Sequence, residues 1–157
     1  MTAPGYPVRL AGPRVVLREF EPGDLDATLA VVGDPEVTRW LSFDTRGRVD
    51  QAERLAQDIT RAQSTPRPDY YLAIDDESGR LVGFARIGVG SHRSGEVGYA
   101  LRRDAWGRGY ATEAASLLVD FGFNRLGLHR ITGCVGPDNT ASHAVMRRLG
   151  FREEGRL

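Results

Sequence analysis

The 157-residue chain predicts a mixed α+β fold built around one sheet. Three features carry that expectation. The first half holds segments of helical periodicity, the middle alternates apolar runs with short turns, and the second half runs strand, helix, strand, helix. Short links in the middle make antiparallel neighbours, whereas a helical crossover makes two neighbouring strands parallel. The length suits a single domain, 1–157, able to bury its own core.

Residues 1–13 are rich in Gly and Pro and read as a loose leading segment. Arg14 to Phe20 reads as a strand, turned by Glu21-Pro22-Gly23-Asp24. Asp24 is placed to cap a short helix with Leu25, Leu29 and Val32 on one face. Asp34-Pro35 starts another helical turn, with Asp as cap and Pro at the first helical position. Asp50 opens a clearer helix whose Ala52, Leu55, Ala56 and Ile59 recur at helical spacing. Ser64-Thr65-Pro66-Arg67-Pro68 ends it.

Tyr70 to Ile74 and Leu81 to Ile87 read as strands joined by Asp75-Asp76-Glu77-Ser78-Gly79. That acidic run lacks the spacing and terminal Glu of a calcium loop, so it reads as a hairpin turn. Gly88 to Gly95 reads as a flexible second turn and Glu96 to Leu101 as the next strand. A helix from Tyr110 to Arg125 is apolar on more than one side, counting Phe121 and Phe123, which predicts packing between the sheet and another layer. His129 to Val135 is an apolar strand. Ala141 to Leu149 is a short helix ended by Gly150 as a left-handed cap, and Phe151 begins one more extended piece.

The formal net charge is zero, from 21 basic and 21 acidic residues, and every basic residue is Arg. That balance points to no direct nucleic-acid partner and no membrane surface. With no Lys, a phosphate-binding Walker loop and a Schiff-base enzyme are both excluded. The single Cys134 has no disulfide partner and reads as a buried packing residue on an apolar strand. His92, His129 and His143 show no ligand spacing, so no metal site is expected. No apolar run approaches 18 residues and no signal segment opens the chain, so a cytoplasmic protein is expected.

The chemically informative stretch is Trp106-Gly107-Arg108-Gly109-Tyr110-Ala111-Thr112-Glu113, between a strand end and a helix start. Small residues let backbone approach a ligand closely. The first N–H groups of a helix have no partner of their own, and its dipole favours an anion. Arg108 adds a positive charge. Two readings stand on these residues alone: a pyrophosphate cradle, or a tight turn that needs its glycines for geometry. Gly88-Val89-Gly90 is no dinucleotide fingerprint, because it lacks the third glycine and opens no helix.

Gly-Tyr-Ala-Leu at 98–101, Trp-Gly-Arg-Gly-Tyr-Ala-Thr-Glu-Ala at 106–114, Asn-Thr-Ala-Ser at 139–142 and Leu-Gly-Phe at 149–151 occur in order. In this arrangement the chain resembles the GNAT superfamily of acetyltransferases, and within it the RimJ/RimL-like branch that acetylates ribosomal-protein N-termini. The early Arg-Val-Val-Leu-Arg, Pro22-Gly23-Asp24 and Asp34-Pro35-Glu36-Val37 extend the resemblance over nearly the whole chain. It implies a central, mostly antiparallel sheet flanked by helices, with one splayed parallel pair.

The resemblance also implies acetyl-CoA as donor, no metal, and direct transfer to an amine acceptor, a protein N-terminus or a small molecule such as a polyamine or aminoglycoside. A succinyl or other acyl donor, or a non-catalytic CoA-binding module, are the alternatives. Gly109 and Ala111 fill the small positions of the superfamily's pyrophosphate loop, and Trp106 departs from its leading Gln or Arg. Backbone from Arg108 through Gly109, Tyr110 and Ala111 to Thr112 is expected to hold the pyrophosphate. The pantetheine arm is expected beside Tyr99 and Leu101, with the Leu101 N–H as oxyanion donor. Asn139 is expected on the arm and Ser142 near the sulfur as acid.

Glu96 is the candidate base, directly or through water, or else an exposed strand carboxylate; His92 is second. Trp40, Phe43 and Tyr70 are assigned to the acceptor wall or to the core. Family members usually continue past Leu-Gly-Phe through two antiparallel strands, whereas this sequence stops at Leu157. The C-terminal strands are therefore expected to be missing, or the edge completed by a partner in a homodimer.

Overall fold

The computed structural model describes residues 3–155; Met1, Thr2, Arg156 and Leu157 lie outside the described residues. Among the described residues six strands form one sheet in sequence order: β1 (Arg9–Ala11), β2 (Val16–Arg18), β3 (Asp69–Asp75), β4 (Leu81–Val89), β5 (Ser94–Leu101) and β6 (Arg130–Gly133). Neighbours are antiparallel except β5 and β6, which are parallel. The helices are α1 (Leu25–Val32), α2 (Pro35–Thr38), α3 (Arg48–Ala62), α4 (Tyr110–Asn124) and α5 (Thr140–Arg148). The mixed α+β class with one parallel pair is thus the fold observed, and α4 is the crossover that makes that pair parallel.

Strand alternation divides the core between the two sheet faces. Leu72, Ile74, Ala85, Ile87, Val97 and Leu101 pack against Leu118 and Phe121 of α4 and Met146 of α5. Ala73, Phe84 and Ala100 turn to the other face, toward Val31, Val32, Val37 and Leu55. Burying each such large side chain contributes about 1.5–3 kcal/mol. α4 buries one stripe, Ala114, Ala115, Leu118, Phe121 and Gly122, and leaves Phe123 exposed, contrary to expectation. At Gly122 the helix meets the sheet closely: a Cβ there would lie 2.7 Å from Ile131 and 2.8 Å from Ile87.

From Val8 onward the leading segment is not loose. Val8 is buried, Arg9–Ala11 pairs with Val16–Arg18, and the Val8 N–H donates to Glu19 Oε2 at 3.0 Å. Glu19 also receives both terminal nitrogens of Arg67, at 2.6 and 2.8 Å, so a buried ion pair anchors the N-terminal strand. The strand expected from Arg14 to Phe20 shrinks to Val16–Arg18. Asp24 holds the N-cap position of α1 but its side chain makes no cap hydrogen bond; its carboxylate takes the Glu21 N–H at 2.7 Å and the Arg18 guanidinium at 2.9 Å. Asp34 does cap α2, accepting from the Glu36 N–H at 3.0 Å.

α3 begins at Arg48 with Gly47 as its cap, so Asp50 sits in the first turn, where a carboxylate complements the helix dipole. The second turn is tighter than expected, because Gly88 pairs with Glu96 and Val89 with Gly95. Gly150 adopts the left-handed conformation expected of it, at φ +84°. The extended piece expected from Phe151 joins no strand among residues 151–155; Glu154 instead pairs with Arg130.

Candidate active site

One cavity of about 1230 Å³ gathers most of the residues singled out from the sequence. Its first wall is the turn into α4. Gly107 and Gly109 take left-handed backbone, at φ +76° and +81°, and the first helical hydrogen bond runs from the Glu113 N–H to the Gly109 carbonyl at 3.1 Å. Among the described residues, the N–H groups of Tyr110, Ala111 and Thr112 therefore have no protein acceptor. The Thr112 hydroxyl is buried without a hydrogen-bond partner as well, and Gly109, Tyr110, Ala111 and Thr112 all line the cavity. A buried, unpaired hydroxyl is costly unless something fills the site. This cluster of orphan donors at a helix start fits a bound phosphate or pyrophosphate.

Arg108 is exposed, lies beside the Tyr110 phenol and is not among the cavity-lining residues. Its guanidinium therefore stands outside the lining, and its carbonyl is held by Arg14 at 2.6 Å. The Tyr110 hydroxyl donates to Glu77, whose carboxylate raises the phenol's pKa.

The second wall is the open edge of β5. The parallel pairing runs only from Ser94 to Val97, opposite Arg130 to Gly133, whereas β5 stays paired to β4 as far as Leu101. Peptide groups alternate sides along a strand. The Arg102 N–H donates to the Val82 carbonyl at 2.8 Å, on the β4 side, so the N–H groups of Tyr99 and Leu101 face the gap left by β6. At the end of that gap the Trp106 indole donates to the Leu101 carbonyl at 2.9 Å. Trp106 thus ties the loop to the strand edge.

α5 forms the third wall. Its cap is Asn139, whose Oδ1 accepts from the Ser142 N–H at 3.2 Å, leaving the Asn139 amide nitrogen uncommitted. The Tyr99 hydroxyl donates to Ser142 Oγ at 3.0 Å. Burial raises the Tyr99 pKa, and the Ser142 contact offsets part of that rise. With Oγ accepting from Tyr99, the Ser142 proton is free to be donated elsewhere.

Beyond β5 the cavity opens onto the other sheet face, where Glu96, Gly98 and Ala100 point. A Cβ at Gly98 would meet nothing within 4 Å, so this strand position borders open space. Glu96 is exposed and lines the cavity there. Trp40 and Phe43 line the cavity too, and Trp40 packs on the loop after β6, 3.1 Å from where a Gly136 Cβ would stand. Tyr70 belongs to the core, in edge contact with Phe121. His92 is exposed in the β4–β5 turn, away from the cavity lining. Cys134 is exposed and lines the cavity, contrary to the buried packing role expected of it, because β6 parts from β5 where Cys134 begins.

Two further charged residues of this region, Arg14 and Arg148, carry no local signal of a place at the site. Arg14 donates to the Arg108 carbonyl at 2.6 Å and pairs with Glu113 at 3.3 Å. Glu113 in turn accepts the Arg14 and Val15 N–H groups at 2.8 and 2.6 Å. Arg148, in the last turn of α5, lines both the main cavity and an adjoining shallow one beside Gly109 and Thr112.

Comparison with known proteins fits this arrangement. Residues 14–152 match the family described as Acetyltransferase (GNAT) domain. The chain is similar to the uncharacterized N-acetyltransferase p20 of Bacillus licheniformis, 34% identical over 146 residues, covering 92% of this chain and 82% of the relative. It is similar to spermidine N(1)-acetyltransferase of Escherichia coli strain K12, 33% identical over 144 residues, covering 91% of this chain and 75% of the relative. Among solved structures it is similar to Mycobacterium smegmatis RimJ in complex with CoA-disulfide, with a TM-score of 0.82 and 29% identity, covering 98% of this chain and 80% of that one. The match over residues 14–152, together with the splayed sheet, places the chain in the GNAT acetyltransferase family, as an N-acetyltransferase.

Proposed function

We propose that the protein transfers an acetyl group from acetyl-CoA to the N-terminal amine of a peptide or protein, by direct attack of the amine on the thioester. The observation that carries this reading is the convergence of three features on one cavity: the orphan donors opening α4, the unpaired edge of β5, and the Tyr99–Ser142 pair. When bound, acetyl-CoA supplies the thioester that is attacked.

The N–H groups from Arg108 to Thr112, with the Thr112 hydroxyl, hold the pyrophosphate, and Arg14 and Arg148 stand beside it. The Tyr99 and Leu101 N–H groups and the Asn139 amide hold the pantetheine arm. The Leu101 N–H meets the negative charge that develops on the carbonyl oxygen. Ser142 donates its proton to the departing sulfur, with Tyr99 holding its oxygen in place. Glu96, directly or through water, takes the proton that the amine loses.

The acceptor assignment follows from the modest base. A peptide amine has a pKa near ~8 and is partly neutral at physiological pH, whereas a lysine amine near ~10.4 demands stronger deprotonation. Holding the two reactants together supplies most of the acceleration. The test pairs calorimetric titration of acetyl-CoA with thiol release in the presence of N-terminal peptides. Micromolar binding and acceptor-dependent thiol release are expected. Binding without turnover across a broad acceptor panel would favour a CoA-binding module instead.

A further inference from the structure

The acceptor half of the cavity is rich in arginine, and its charges do not pair off. Arg46, Arg54, Arg61 and Arg86 line it. Arg86 and Arg61 share a single carboxylate, Asp69, at 2.8 and 3.3 Å. Arg54 is held by Asp58 at 3.0 Å. Arg46 is left over. Its guanidinium lies 3.7 Å above the Phe43 ring and makes one side-chain hydrogen bond, to the neutral Gln51 Oε1 at 3.3 Å. Among the described residues no carboxylate comes within 4.0 Å of it, although Asp58 and Asp50 act on it from farther away.

Arg46 is half-buried, and burial lowers its pKa, yet a guanidinium stays charged throughout the physiological range. A partly desolvated cation without a counter-charge is unfavourable unless an anion joins it. It packs over the Phe43 ring and lines the cavity, a placement that suits recognition of a carboxylate by a guanidinium. The same wall repels a polycation. Glu96 lies on the same sheet face, so a negative group for the amine and a positive group for an acid share one chamber.

We propose that the acceptor is a primary amine bearing a carboxylate, recognised by Arg46, with an N-terminal peptide whose first residues are acidic as the source that fits best. This rests on the acetyltransferase reading above and narrows it. A polyamine acceptor is disfavoured by the same charge.

The experiment measures thiol release from acetyl-CoA with five acceptors: Ala-Glu-Glu-Ala amide, its isostere Ala-Gln-Gln-Ala amide, free glutamate, its carboxylate-free isostere glutamine amide, and spermidine. The acidic member of a pair is expected to exceed its amide isostere by about tenfold or more in kcat/KM, chiefly through KM. The peptide pair and the amino-acid pair distinguish a peptide acceptor from a free acid. Arg46→Met is expected to erase the preference and Arg46→Lys, which keeps the charge but not the planar fork, to keep only part of it, with the acetyl-CoA Kd unchanged in both. Equal rates for acid and amide, a preference that survives Arg46→Met, or spermidine as the best acceptor overturns the proposal and leaves the transferase standing. Bound acetyl-CoA without turnover of any acceptor overturns the transferase reading and this proposal with it.

Discussion

The Arg14 guanidinium reaches 94 residues along the chain to donate to the Arg108 carbonyl at 2.6 Å. A trans peptide points its N–H opposite to its C=O, so holding the Arg108 oxygen fixes the direction of the Gly109 N–H. Glu113 completes the clasp by accepting two N–H groups from the Arg14–Val15 segment. Arg14→Met is expected to weaken acetyl-CoA binding about three- to tenfold, as for loss of one partly exposed charged hydrogen bond. Turnover at saturating donor is expected to change little. Calorimetry beside steady-state kinetics checks both.

The two glycines of the loop are expected to differ. Both have positive φ, so an alanine at either costs about 1–2 kcal/mol of backbone strain. At Gly109 a Cβ would also stand 2.8 Å from the Arg14 guanidinium, whereas at Gly107 it meets nothing within 4 Å. Gly109→Ala should therefore raise the acetyl-CoA Kd tenfold or more and Gly107→Ala distinctly less, at similar losses of Tm. Equal effects on Kd would show that the Arg14 clasp is irrelevant to the loop.

Ser142→Ala is expected to lower kcat by about ten- to a hundredfold, at or below the lower limit usual for general acids, because a thiolate with pKa near ~8.5 leaves readily. Tyr99→Phe should have a smaller effect in the same direction. The Tyr99 pKa is raised by burial, so the phenol remains a neutral donor up to and beyond its ordinary value. The ratio of wild-type to Ser142→Ala rates should accordingly stay flat from pH 6 to 9.5. A ratio that falls with rising pH in that window would show Tyr99 titrating.

The Glu19–Arg67 pair is buried on both sides, and Arg67 also stacks 4.4 Å from the Tyr70 ring. Arg67→Ala strands the Glu19 charge and is expected to destabilise by about 3–5 kcal/mol. For a chain of this size that corresponds to roughly 6–20 °C in Tm. Because the pair holds the Val8 amide as well, proteolysis should begin in the N-terminal strand.

Elements with strong local periodicity, such as β3, β4, β5 and α4, are legible in the sequence because their partners need not be known. β1 is not, because its placement depends on the Val8 N–H held by Glu19 and on Arg67, 48 residues further on. Cys134 follows the same logic in reverse. An apolar strand predicts burial, but the strand loses its neighbour at that residue. The phosphate loop announces itself by adjacent glycines and a helix start, whereas Arg14 reaches that loop, and Arg46 and Arg148 reach the cavity, from three separate segments of the chain. Spacing along one segment cannot show such a meeting.

The split between β5 and β6 gives one strand two kinds of amide. The Arg102 N–H is locked to β4, as strand alternation requires of Ala100, while those of Tyr99 and Leu101 face an open gap. Hydrogen–deuterium exchange should therefore alternate along β5 in the free protein, fast at 99 and 101 and slow at 100 and 102. Acetyl-CoA should abolish the alternation by slowing the fast pair alone, so that the donor acts in effect as a temporary seventh strand.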